Sequence, residues 1–399
     1  MKLAADEITA NTEYCRPTRP LGHSRITLSR YFAMNEMAAL LPLLAGLSFF
    51  GWRAGLTVAL VLLSAAGTTL VWRKIGVRGG QLHFAHLLWL ATTLSLMLPA
   101  HLLGYRSPDG WSGWPIPVLA GAMLTIFSWV LGGLGLGRIH PVVVTYLLLA
   151  VLYGPALTPI GVLQRNHMVL GDVTDMPAET ERTVSQDPWY KRPIAPDHDA
   201  LNCTVASESL WEYTTGQVSP DRAWLSLESL LRDRLPPMED LILGSTPGPI
   251  GAASCVAVIL GGLLLLYRRL IEYRIPLTIV LSAFVMLLIL PIPTVITDKP
   301  DWRWAVGHIS GIGWPVGVTF ANYEILGSPL LFTAFFLATA PAVRPLSGWG
   351  RTIYSLVVGA LAAILQLYVS VSFGSYLALM GASLLTPALD KWIRPRTLV

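Results

Sequence analysis

The side chains able to move protons, ligate metals or accept a flat ligand fall into three groups. Four histidines, His83, His86, His101 and His140, lie at the ends of long apolar stretches. Imidazole titrates near neutrality and ligates metals, but no pair has facing spacing across two spans. The reading is therefore interfacial hydrogen bonding and not metal or haem ligation. The second group is rich in glycine, which lets backbone approach backbone or a flat ligand closely. Gly132-Gly133-Leu134-Gly135-Leu136-Gly137 runs into Arg138-Ile139-His140-Pro141, and a second run, Leu243-Gly244-Ser245-Thr246-Pro247-Gly248-Pro249-Ile250-Gly251, precedes Ser254. Loop flexibility, and a proline near a helix start, are the plain alternatives. The third group is the carboxylates Glu36, Glu272, Glu324 and Asp390, all of which read as interfacial. A carboxylate near the bilayer midplane marks an ion path, so ion transport by this chain alone is disfavoured. Cys15, Cys203 and Cys255 are too dispersed for a disulfide, zinc or iron–sulfur site, and Asn202-Cys203-Thr204 is a weak glycosylation pattern.

These groups must be positioned by a membrane domain. Only 13% of residues are charged, against about a quarter in soluble proteins, and the mean hydropathy is +0.56. A crossing needs about 20 apolar residues. The chain supplies about ten such stretches, near 32–50, 54–72, 83–103, 115–131, 140–157, 249–267, 275–293, 326–341, 352–370 and 373–389. The fold class is an all-α polytopic membrane protein.

Lysine and arginine mark cytoplasmic loops. They occur in the N-terminal arm (Arg16, Arg19, Arg25, Arg30), after the second span (Arg73, Lys74, Arg78), after the fourth (Arg138), after the sixth (Arg268, Arg269, Arg274), after the eighth (Arg344, Arg351) and in the tail (Lys391, Arg394, Arg396). Both termini are therefore expected in the cytoplasm. The net charge of +4 is a topology signal, with no nucleic-acid partner implied. The polar start lacks the apolar core of a cleavable signal peptide. Five parts follow: a cytoplasmic arm, 1–31; a first five-helix half, 32–157; a large extracytoplasmic insert, 158–246; a second half, 247–390; and a cytoplasmic tail, 391–399. The insert holds Trp189, Tyr190, Trp211, Tyr213 and Trp224 among many prolines, which suits a self-packed cap or a partner surface.

An odd number of spans in each half gives the halves opposite orientation, as in inverted-repeat transporters. Leu87 to Pro99, ending ATTLSLMLP, is similar to Leu330 to Pro341, ending FFLATAP; Gly137 to Pro159, ending GPALTP, is similar to Gly374 to Pro387, ending LLTP.

The stretch Leu243 to Arg274, LGSTPGPIGAASCVAVILGGLLLLYRRLIEYR, resembles the signature of the family containing the RnfD component of the Rnf electron-transport complex and the NqrB component of the sodium-translocating NADH:quinone reductase. LGGLGLGRIHP, FFLATAP and LLTPALDKW resemble that family's FGGLGxNxFNP, FFxxTDP and closing NxxxPLID. The resemblance spans residues 20–392 and implies a ten-span, urea-transporter-like 5+5 inverted repeat. It further implies a component, not catalytic alone, of a complex that moves electrons between flavins and in one branch reduces quinone.

Family members carry FMN on a threonine of an SGAT-type motif upstream of the LGxxPG segment. Here the chain reads Thr214-Thr215-Gly216-Gln217-Val218-Ser219-Pro220, which fits only with an extra residue. The expected flavin, FMN or riboflavin, is thus held non-covalently, with Ser219 ahead of Thr215 as any covalent position. Gly132, Gly133, His140, Pro141, Pro247, Gly248, Gly251 and Ser254 are the other cofactor-binding candidates. Ala252, His140, Ala340 and Ser383 replace the family's usual Glu, Asn, Asp and Asn, so the polar set is thinned while the scaffold is kept.

The resemblance implies an inner-membrane protein of a bacterium that relays electrons through flavin or quinone, with coupling to ion translocation, other membrane subunits as partners and an extracytoplasmic redox protein at 158–246. Two alternatives stand beside it: a non-redox docking subunit of another electron-transfer or photosynthetic complex, and a small-solute channel.

Overall fold

The computed structural model describes residues 27–75, 84–105, 111–131, 139–158, 162–164, 200–202, 238–244, 248–297, 299–303 and 313–393, with the single positions 210, 227, 231 and 235. The first half contains α1 (Leu28–Phe50), α2 (Trp52–Ile75), α3 (Phe84–Met97) with a 3₁₀ turn (Ala100–Leu103), α4 (Pro115–Val130) and α5 (Pro141–Leu157). Between the halves are the paired strands β1 (Val162–Gln164) and β2 (Ala200–Asn202) and the short α6 (Met238–Leu243). The second half contains a 3₁₀ turn (Ile250–Ala252), α7 (Cys255–Tyr267), α8 (Arg274–Ile289), a hairpin of β3 (Ile292–Thr297) and β4 (Lys299–Arg303), α9 (Gly313–Leu326), α10 (Leu330–Phe332) continued by a π turn (Thr333–Leu337), α11 (Gly348–Tyr368) and α12 (Val371–Trp392).

Local chemistry sets several ends. Pro115 and Pro141 open α4 and α5, where the missing N–H costs nothing. Ser254 and Ser347 cap α7 and α11 through hydroxyls that accept from Ala257 N and Gly350 N. Gly51, with φ of 73°, turns the chain between α1 and α2.

Among the described residues four helices, α1, α2, α11 and α12, are long and apolar enough to cross a membrane; α9 and α10 together make a fifth candidate, bent by 64°. Five shorter apolar helices, α3, α4, α5, α7 and α8, pack among them. Two departures from expectation stand out. The eighth stretch, 326–341, covers the break before α10, α10 itself, and the π turn and loop that follow it. The helix α9 lies outside it, because Asn322 and Glu324 dilute its hydropathy. The all-α expectation also gives way to a mostly helical fold, since 292–303 forms a hairpin where the seventh stretch was to end.

The same packing pattern occurs on both sides of the insert. In the first half α2 lies on α3 and α4, and α4 on α5; in the second, α8 lies on α9 and α11, and α11 on α12. The α2–α4 crossing is close because a Cβ at Gly121 would strike Val61 O, Ser64 Oγ and Ala65 N. The α8–α11 crossing is close because a Cβ at Gly359 would strike Ile279 O, Ser282 Cβ and Ala283 N. Across the halves α1 meets α7 and α5 meets α12. Tyr146 thereby meets Tyr376, the two rings edge to face at 4.9 Å.

One end of the bundle gathers basic junctions. Arg351 pairs with Glu272, the backbone N–H of Leu346 donates to Asp390 Oδ1 at 2.8 Å, and Arg344 interacts electrostatically with Tyr31 and Glu272. The start of α1, the turn after α7, the segment before α11 and the end of α12 therefore share that end.

Candidate functional site

The clearest concentration of buried polar groups surrounds the start of α5. His140 is its N-cap residue, 3% exposed, with an Nδ1 that has no hydrogen-bond partner among the described residues. Its imidazole interacts electrostatically with that of His86 on α3. His86 in turn lies against the Phe32 ring of α1, with centroids 4.6 Å apart. One turn along α1, Glu36 Oε1 accepts from Thr92 Oγ1 at 2.5 Å, while its Oε2 is buried without a partner among the described residues. Nearby, Asn35 Nδ2 donates to Tyr31 O at 2.9 Å. Three helices thus bring two interacting imidazoles together, with a buried carboxylate one turn along α1 from the Phe32 ring that packs on His86.

His86 and His140 interact although their spacing in the sequence offered no pair across two spans, because α3 and α5 come together only through tertiary packing. His101 is buried, and its Nε2 lies 3.1 Å from Ala156 O in a hydrogen bond. His83 lies outside the described residues, as do Thr215, Ser219, Gly132, Gly133 and Pro247.

The remaining candidates lie elsewhere. Gly248, Gly251 and Ser254 belong to the irregular entry to α7. There Pro249 bridges to Pro99, Ile250 N–H donates to Leu98 O at 3.0 Å, and a Cβ on Gly251 would lie 2.6 Å from Leu96 Cβ. Leu96 is ten residues beyond His86 on one helix, about 15 Å along its axis. His140 and Pro141 therefore do not share a pocket with Gly251 and Ser254. Ser254 is occupied with capping, and Gly251 permits two backbones to touch, so the described geometry gives both a packing duty.

Glu324, read from the sequence as interfacial, is 1% exposed, in the last turn of α9. The apolar Val316–Phe320 preceding it was the available signal, hidden by a window that began too late.

No group of three or more histidines, cysteines or carboxylates suited to a metal occurs among the described residues. Two imidazoles with a free buried nitrogen on His140 suit instead a ring bearing carbonyls and ring nitrogens, the hydrogen-bonding edge shared by flavins and quinones. The orphaned Nδ1 of His140 is what such a group would satisfy, so the residues present fit it.

An apolar helical bundle with buried polar clusters and broken helices is a multi-pass membrane protein. Its sequence matches the NQR2, RnfD, RnfE family over residues 17–399. It is 26% identical over 310 residues to the D subunit of the ion-translocating oxidoreductase complex of Halorhodospira halophila, covering 76% of this chain and 74% of that one. It is 24% identical over 398 residues to the protein of the same name from Pectobacterium carotovorum, covering 94% and 96%. The D subunit of the proton-translocating ferredoxin:NAD(+) oxidoreductase complex of Clostridium ljungdahlii is 27% identical over 157 residues, covering 39% of this chain and 41% of that protein. The chain belongs to the NQR2, RnfD, RnfE family.

Proposed function

We propose that this chain is a membrane subunit of an Rnf-like ion-translocating electron-transfer complex, and that it holds a flavin or quinone non-covalently beside His86 and His140. The observation that carries the reading is the buried Nδ1 of His140, without a hydrogen-bond partner among the described residues and in electrostatic interaction with a second histidine, in a chain of this family. FMN or riboflavin supplies one- and two-electron chemistry. The chain's part is to orient the ring, and His86 and Glu36 offer proton donors and acceptors for its reduced form. The Gly132–Gly137 run immediately precedes this site in sequence, where backbone without side chains favours a flat ligand.

The recurrent packing of α2, α3 and α4 and of α8, α9 and α11 supports a ten-span 5+5 inverted repeat. Basic residues gathered at one end support cytoplasmic termini in a bacterial inner membrane. The insert, 158–246, would then face outward, as a cap or a dock for an extracytoplasmic redox protein. The docking-subunit alternative keeps the scaffold without cofactor. The solute-channel alternative is disfavoured because Tyr146, Tyr376 and Phe373 fill the seam between α5 and α12.

The test is flavin and quinone analysis of the complex purified from its own membranes. Expected are partner subunits in stoichiometric amount and a flavin or quinone released by denaturation, reduced at least tenfold by His140→Ala at unchanged assembly. Intact mass separates a covalent flavin, which Ser219→Ala would remove. A complex without flavin or quinone selects the docking role.

A further inference from the structure

Glu324 is enclosed, and neither of its carboxylate oxygens has a hydrogen-bond partner among the described residues. An ionised carboxylate in this setting costs several kcal/mol unless a cation accompanies it. Among the described residues, the elements packed on α9 bring none. From α6 come Glu239 and Asp240, and Asp240 interacts electrostatically with Tyr323. The only charged residue of α8 is Arg274, at its far, first position. Neither α10 nor its π turn carries a charge. The α7 thiol, Cys255 Sγ, donates to Leu326 O at 3.4 Å. Neighbouring backbone oxygens are also engaged: Tyr323 O accepts from Gly327 N at 2.8 Å, and Ile325 O from the Ser328 hydroxyl at 3.3 Å. A dehydrated metal cation would need about six oxygen ligands; a proton needs one.

We propose that Glu324 is a proton-binding site within the membrane domain. Its carboxyl carries the proton in the closed arrangement described here. It gives it up to water, as carboxylate and hydronium, when the Gly327–Pro329 break rearranges. Interrupted helices are where transport proteins expose buried groups alternately to two sides, and this break lies directly after the turn that bears Glu324. The site is separate from the histidine pair, and the inference does not depend on a cofactor there.

Infrared spectroscopy of the full chain in its purified complex tests this. At neutral pH the wild type should show the carbonyl stretch of a protonated carboxylic acid, shifted by exchange into deuterated water. Glu324→Gln should abolish that band and Glu324→Asp retain it. A wild-type spectrum without the band, or the same band undiminished in Glu324→Gln, overturns the proposal. Should Glu324→Gln fail to assemble, the wild-type complex is treated with dicyclohexylcarbodiimide, which enters the bilayer and adds to protonated carboxyls. Peptide mass analysis then finds the adduct on Glu324 if the proposal holds; an unmodified Glu324 beside modified carboxylates elsewhere refutes it.

Discussion

Each half of the molecule contains an interrupted helix, and the two interruptions are secured by different means. After α3 the break at Leu98–Pro99 is laced to another backbone: Pro99 bridges Pro249, and Ile250 N–H reaches Leu98 O at 3.0 Å. After α9 the break at Gly327–Pro329 has backbone bonds only to its own flanking turns, Gly327 N to Tyr323 O at 2.8 Å and Thr333 N to Pro329 O at 2.9 Å, and is otherwise held by side chains. Ser328 Oγ donates to Ile325 O at 3.3 Å and accepts from Leu330 N at 3.4 Å, with Cys255 contributing a weak thiol bond. Backbone lacing, backed by close-packed glycine, resists opening; hydroxyl and thiol bonds near the outer limit of hydrogen-bond length do not. The softer break is the one beside Glu324, which is where movement would serve proton exchange.

The largest effect that could break this contrast is at Gly251. A Cβ there would lie 2.6 Å from Leu96 Cβ and 3.0 Å from Leu96 O, so Gly251→Val should destabilise by about 3 kcal/mol, read as thermal unfolding of the detergent-solubilised complex. A neutral result would mean that the first break is no tighter than the second. Smaller is Ser328→Ala, which strips a hydroxyl that both donates and accepts; it should cost about 1 kcal/mol by the same measurement. Hydrogen exchange sharpens the comparison directly: the amide of Ile250 should exchange more slowly than that of Leu330, and the reverse order would invert the assignment of stiff and soft. Smallest is Arg351→Ala at the basic end. Its side chain is 18% exposed and that of Glu272 is 42% exposed, so solvent screening limits the loss to about 0.5–1 kcal/mol.

Much of the scaffold was legible. The stretches placed at 115–131 and 140–157 begin within one residue of where the structure begins α4 and α5, and Arg268, Arg344 and Lys391 marked junctions that meet at one end. Hydropathy succeeds there because a spanning segment declares itself by its own composition. It failed at α9, where Asn322 and Glu324 made a buried helix look like a loop. Of the candidate site, His140 was named but its partner was not, and Gly251 and Ser254 were grouped with it although the fold assigns them to α7's entry and to capping.

By itself the sequence determined the membrane character, the apolar segments, the basic junctions and the family, all of which reside in local runs of residues. Tertiary structure alone decided that His86 interacts electrostatically with His140, that Tyr146 meets Tyr376, that Pro99 bridges Pro249 and that Glu324 is enclosed. Those facts depend on which helix lies across from which. A side chain's desolvation is set by neighbours tens or hundreds of residues away, and no window along the chain contains them.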